Sequence, residues 1–404
     1  MAREHYIPYR KSDLVRLLAA QGLAEEDRAS FERFADILGA TFHFHFHDRL
    51  ERLKDVYAPF DPDGLTSHLE NMTPDERDAK VQEVFVRLQH LVRRANFNRL
   101  SWEEIDRALE KHSDWGVNLD IDFDLIDRMA LFVRGDTVGE RSRRVWWKFF
   151  RKETKTIAIY KRLVLAIKLK PSAELPAEMD TEDILLKYFK DIPKDDIDML
   201  LPGGKVVLPW LKRWQLRGSI CGTALYVLWK VFDSIFKAAI TFTAAYIIGL
   251  ASLAGMGLRQ YQGYQSARIA YSLRLAQSLY YQNLANNSGV LFTVLDEAEE
   301  QDVRETLLGY YYLWRFPRDE GWTASELDAH IESELHRLAG IQVDFEIDDA
   351  LRKLERLELV SRDGDRYMAL PIHLALAKLD SWWDNYYAYA SESPVPASML
   401  AKAI

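Results

Sequence analysis

Eleven Lys and Arg residues stand against one Glu between Arg141 and Lys170, and the run RRVWWKFFRK interleaves them with aromatic rings. Cations beside Trp and Phe suit a membrane surface, where rings settle at headgroup level and each cation attracts anionic lipid by about 1 kcal/mol. Arg143, Arg144, Trp146, Trp147, Lys148 and Arg151 are therefore candidates for contact with anionic headgroups. The plainer reading makes the rings core and the cations a solvated face. A second constellation is acidic: Asp191, Asp195, Asp196 and Asp198 lie in KDIPKDDIDMLLPGG. Such carboxylates either hold a divalent cation or act as acid and base, but acids at a helix start more commonly complement the helix dipole. Arg134, Asp191 and Asp195 are the candidates for an enzyme acting on a lipid or a phosphorylated compound.

His43, His45 and His47, with Asp48 next to them, would share one face on a strand and invite a metal. The surrounding spacing is helical, so only His43 and His47 should meet. No metal and no cofactor is expected. Gly203-Gly204 lacks the ending of a phosphate loop, and neither a nucleophile elbow, a His-Glu-x-x-His pair nor a kinase set occurs. A net charge of -9 argues against general nucleic-acid binding. Cys221 is the single cysteine, which excludes an internal disulfide and a cysteine-cluster metal site. An interaction or regulatory role is thus preferred to catalysis.

These residues need elements to position them. Phe31, Phe34, Leu38, Phe42, Leu50, Leu53 and Tyr57 recur at helical intervals, and PFDPD ends that helix at 59–63. Further helices are expected over 74–96 and 101–111. At Val117 the period becomes two through Leu119, Ile121, Phe123 and Leu125, the pattern of a half-buried strand. A second alternation runs through Leu163, Leu165, Ile167 and Leu169, with shorter β-like pieces at 129–134, 157–160 and 205–208. No charge interrupts Ala238 to Leu258, and some 21 helical residues cover roughly the 30 Å hydrocarbon core. Ile220 to Phe236 precedes it, broken by Lys230 and Asp233; basic residues on both flanks favour a two-helix hairpin. After it, Thr323 with Glu326 caps a helix, FEIDDALRKLERLELV forms another, and SRDGDRYMAL supplies a hairpin, the order of a winged helix. Its second helix is rich in acids, so a protein partner is favoured over DNA.

The expected architecture is α+β, mainly helical and membrane-integral. It comprises a helical region (1–115), a small mixed α/β domain (116–212), a transmembrane segment (213–262) and a helical C-terminal region (263–404) with a winged-helix-like module at about 323–372. The chain resembles a membrane-protein family that includes animal transmembrane protein 143 and many bacterial members. The resemblance rests on YIPYRKSDLVRLL (6–18), DVYAPFDPD (55–63), LFVRGD (131–136), IYKRLVLAIKLK (159–170), KYFKDIPKDDIDMLLPGGKV (187–206), SLYYQNLANNSGVL (278–291) and VDFEIDDALRKLERLELV (343–360). It implies a paired hydrophobic segment and assigns no catalytic residue. The location it implies is an integral membrane protein, in the cytoplasmic membrane if bacterial, with mitochondrial animal relatives. Expected partners are anionic membrane lipids and a protein at the C-terminal module, without nucleic acid.

Overall fold

The structure is a computed structural model that describes residues 5–64, 72–110, 118–120, 123–145, 151–171, 181–201, 205–207, 262 and 280–386. Apolar spacing of three and four builds the helical layer. Helix α1 (Lys11–Ala19) leads into α2 (Glu25–Tyr57), which buries all seven of the residues from Phe31 to Tyr57 named above. Thr73 and Glu76 close a reciprocal capping box that starts α3 (Pro74–Arg94). Ser101 and Glu104 do the same for the short α4 (Trp102–Glu110).

A five-stranded antiparallel sheet follows, in the order β1-β3-β4-β5-β7. Its strands are β1 (Asn98–Arg99), β3 (Ile126–Val145), β4 (Arg151–Leu169), β5 (Ile184–Pro193) and β7 (Asn283–Asn286), while β2 (Asn118–Asp120) and β6 (Lys205–Val207) pair separately. Both faces are covered. Ala130, Phe132, Val164, Ala166, Leu186 and Tyr188 face the main helical core. Leu131, Val133, Leu163, Leu165, Ile167 and Phe189 pack with Leu100 and Ile105 beside α4. Strand residues alternate between faces, so a sheet covered on both sides reads as the continuous apolar runs LFV and LVLAI. Beyond Ile159, toward Arg151, β4 pairs only with β3 among the described residues, and the two continue as a ribbon to the Val145–Arg151 pair.

The longest buried element is α5 (Ser288–Arg315), in which every residue from Gln301 to Leu313 is buried. Around it lie α1, α2, α3, β5 and the C-terminal elements. Those are α6 (Ala324–Ala339), α7 (Ile347–Arg356) and α8 (Ile372–Asn385), with a three-stranded antiparallel sheet of β8 (Trp322–Thr323), β10 (Arg366–Ala369) and β9 (Val360–Asp363). Phe34 stacks on Tyr310 at 4.1 Å and Phe31 tilts against Tyr311 at 5.0 Å, fixing α2 to α5.

The expected architecture needs correction. The chain is mixed α/β with antiparallel sheets, and among the described residues no helix is long and apolar enough to cross a membrane. The membrane-integral fold, the transmembrane character and the location in a membrane are accordingly not carried forward. They rested on the apolarity of the 213–262 stretch, which lies outside the described residues except for Gln262. The helices that are described alternate apolar with charged residues, as α2 does. The C-terminal elements follow the expected order of helix, helix and hairpin, and Leu327, Leu351 and Leu379 join the same core as Ile7 and Phe31. Among the described residues, the alternation from Val117 to Leu125 yields β2 and a 3-10 turn at Phe123–Leu125. The sheet also takes its edge strands, β1 and β7, from outside the 116–212 stretch.

Candidate functional site

Helices α2, α3 and α7 converge on a cleft of about 1160 Å³. Its lining includes Arg49, Arg52, Arg87, Arg93, Arg94, Arg352, Lys353 and Arg356, eight cations against the three carboxylates of Asp48, Glu346 and Asp349. His5, His45 and His90 add imidazoles. This is a concentration of positive charge in a chain whose total is -9. Spacing explains part of it: Asp48, Arg49 and Arg52 lie on one turn of α2, and Arg93 and Arg94 occupy the last turn of α3, where cations complement the helix dipole. Arg356 ends α7 in the same way.

The cations divide by their partners. Arg52 pairs with Asp48 at 2.8 Å, Arg87 with Glu83 at 2.5 Å, Arg352 with Asp349 at 2.7 Å and Arg94 with Asp302 at 3.0 Å. Arg49, Arg93 and Arg356 have no carboxylate within salt-bridge distance among the described residues. Arg49 only lies over the Phe46 ring, at 5.9 Å. Burial, then repulsion from Arg94, push the Arg49 guanidinium down to about 9, with Asp302 partly offsetting them. Arg356 is lowered by the same two causes. Burial and the cations of Arg49, Arg94, Arg356 and Arg52 hold His45 down at about 3, so its imidazole is neutral. Its Nε2 and the Arg94 Nη1 are buried without a hydrogen-bond partner among the described residues.

Under the cleft lies a charged core. Lys353 is 3% exposed, and its ammonium donates to Asp302 Oδ1 at 2.8 Å and Glu305 Oε2 at 2.9 Å and pairs with Asp349 Oδ2 at 2.6 Å. Those three carboxylates are close enough together to bind a cation, and Lys353 is that cation. Burial alone would lower the Lys353 pKa, but the carboxylates outweigh it and raise it. Burial raises Glu305 in turn, against the pull of Lys353. Gln301 donates to Glu305 at 2.7 Å and to the carbonyl of His5, which ties the N-terminal segment to α5.

The residues expected from sequence fall elsewhere. Arg134 is buried in β3, donating to the Ala95 carbonyl and to Glu297 at 2.7 Å each, between the rings of Tyr6 and Phe97. Asp191 is exposed at a left-handed turn in β5 (φ 52°), and Asp195 opens a 3-10 helix at Lys194–Leu200. Arg134 is therefore committed to structural partners, and none of the three lines the cleft. Arg143, Arg144 and Arg151 stand at the far end of the β3-β4 ribbon, with Arg143 opposite Glu153 and Arg144 opposite Lys152. Trp146, Trp147 and Lys148 lie outside the described residues. Of the histidines, His43 pairs with Glu299 at 3.0 Å, and it is His45, set aside in the helical reading, that reaches the cleft. The helical spacing of His45, Arg49 and Arg52 carried that signal; the contribution of α7, some 300 residues away in sequence, had none.

No solved structure matches the chain. One family model does, over residues 155–289, and it is described as a protein of unknown function, DUF3754. The match includes β4, β5, β6 and β7 and none of the residues that line the cleft. Residues 155–289 of this chain are a DUF3754 domain.

Proposed function

We propose that this chain is an interaction or regulatory protein whose cleft binds a phosphate-bearing anion. The observation that carries the reading is that Arg49, Arg93 and Arg356, from three different helices, face one cleft with no carboxylate among the described residues within salt-bridge distance. Like charges brought together on one cleft cost stability unless something offsets them; Arg49 is half-buried while Arg93 and Arg356 are exposed, and arginine's planar fork suits phosphate oxygens. A free phosphorylated compound and an anionic lipid headgroup share this chemistry. The ribbon bearing Arg143, Arg144 and Arg151 would add the second source.

The finer kinship, to the group that includes animal transmembrane protein 143, belongs to the same proposal. One of the segments on which it rests, 343–360, supplies Glu346, Asp349, Arg352, Lys353 and Arg356 of the cleft. Members of that group should then carry basic residues at the positions of 352, 353 and 356.

Thermal unfolding of the full chain with and without inorganic pyrophosphate tests the reading. A ligand at 100 times its Kd stabilises by about 2.7 kcal/mol, so millimolar pyrophosphate should raise the melting temperature by several degrees, and equal sodium chloride should not. An unchanged melting temperature would count against the cleft as an anion site.

A further inference from the structure

The shape and lining of the cleft say more about its ligand. We infer that the ligand is a compact polyphosphate, carrying three or more phosphate groups and little apolar surface, which bridges α2, α3 and α7. This rests on the anion-binding reading of the same cleft. Three observations carry it. First, a volume of about 1160 Å³ exceeds the roughly 300–1,000 Å³ of ordinary small-molecule pockets, far more than one phosphate needs. Second, the free guanidiniums belong to different helices: Arg49 to α2, Arg93 to α3 and Arg356 to α7. A single phosphate satisfies one or two guanidiniums, whereas a chain or ring of phosphates offers each helix its own anionic group. Third, the apolar side chains of the lining are buried. Leu53, Leu91, Phe97 and Leu295 are exposed by only 4%, 7%, 2% and 6%, so they form a floor beneath the charges. A ligand with a large base or acyl group would find one accessible aromatic ring, that of Tyr386, half-buried at the rim, and otherwise the stems of charged residues.

The recognition is electrostatic, and affinity should climb with the number of phosphates while falling steeply with salt. It should also depend on all three helices at once, since one helix alone presents one unpaired cation.

The test is a titration of the full chain with orthophosphate, pyrophosphate, tripolyphosphate and inositol hexakisphosphate at fixed ionic strength. Vesicles of phosphatidylcholine with phosphatidylserine, and with phosphatidylinositol bisphosphate, form a parallel arm. The expected result is at least tenfold tighter binding for tripolyphosphate than for pyrophosphate, tighter again for the hexakisphosphate, and at least a tenfold loss in each of Arg49→Gln, Arg93→Gln and Arg356→Gln. Circular dichroism of each variant checks that it is folded. Equal affinity along the series, or loss confined to one helix, would overturn the polyphosphate inference while leaving a simple anion site. Binding of vesicles but of none of the free phosphates would overturn it in favour of a headgroup. Absence of all binding would remove the anion-binding reading itself.

Discussion

Lys353 is the residue on which most of the buried charge depends. Removing its ammonium leaves Asp302 and Glu305, both 2% exposed at the side chain, facing each other without their shared partner. Breaking a buried ion pair from one side costs about 3–5 kcal/mol. Lys353→Ala should therefore lower stability by that order in urea denaturation, whereas Arg352→Gln, exposed and one residue away, should cost under about 1 kcal/mol. Equal effects would mean that the core charges are not coupled as the distances imply. His45 gives a pH signature. Its folded-state value of about 3 lies below the ordinary 6.5, mainly through burial and then through the cations of Arg49, Arg94, Arg356 and Arg52. Between these values the unfolded chain binds a proton that the folded chain refuses. Stability associated with His45 is thus present above pH 6.5 and is lost as pH falls toward 3. Denaturation at pH 7 and pH 4.5 should show a smaller acid loss in His45→Gln than in the parent, and parallel losses would show that His45 does not sense the cluster.

Elements were legible where a local rule sufficed. The spacing from Phe31 to Tyr57 marks α2, and the Thr323–Glu326 capping box marks the start of α6, where both reciprocal bonds form. Thr323→Ala should cost about 1 kcal/mol by thermal unfolding; no measurable change would mean that the cap is unimportant for α6. Gly135, at φ 78° in β3, has a tighter requirement: a Cβ there would meet Lys161 Cβ at 2.7 Å. Gly135→Ala should destabilise by about 1–3 kcal/mol, and a neutral result would mean that the β3-β4 ribbon shifts freely at this point. What sequence pattern could not show is pairing over distance. β7 is the four residues NLAN, too short to carry a strand pattern, yet it completes the sheet beside β5. The run at 163–169 was readable as a strand, but its coverage on both faces depends on α4 and α5, which periodicity alone does not assign.

At the scale of the molecule, α5 makes the cleft possible. It is the buried axis against which α2 and α3 of the N-terminal half and α7 of the C-terminal half all pack. Its Asp302 holds both Arg94 and Lys353, so the walls are fixed through one carboxylate. The sequence shows the cations of each helix singly, each explicable as a solvated face, and only the fold brings them together. The basic run at 141–170 is conspicuous in sequence because it is contiguous. The cleft should act as one electrostatic unit, and calorimetric titration of tripolyphosphate into the full chain and its Arg49→Gln/Arg356→Gln variant is the direct measurement. The parent should bind with an affinity that falls as salt is raised, and the folded variant should bind at least a hundredfold more weakly. Equal binding by the two proteins would contradict the assignment of the cleft.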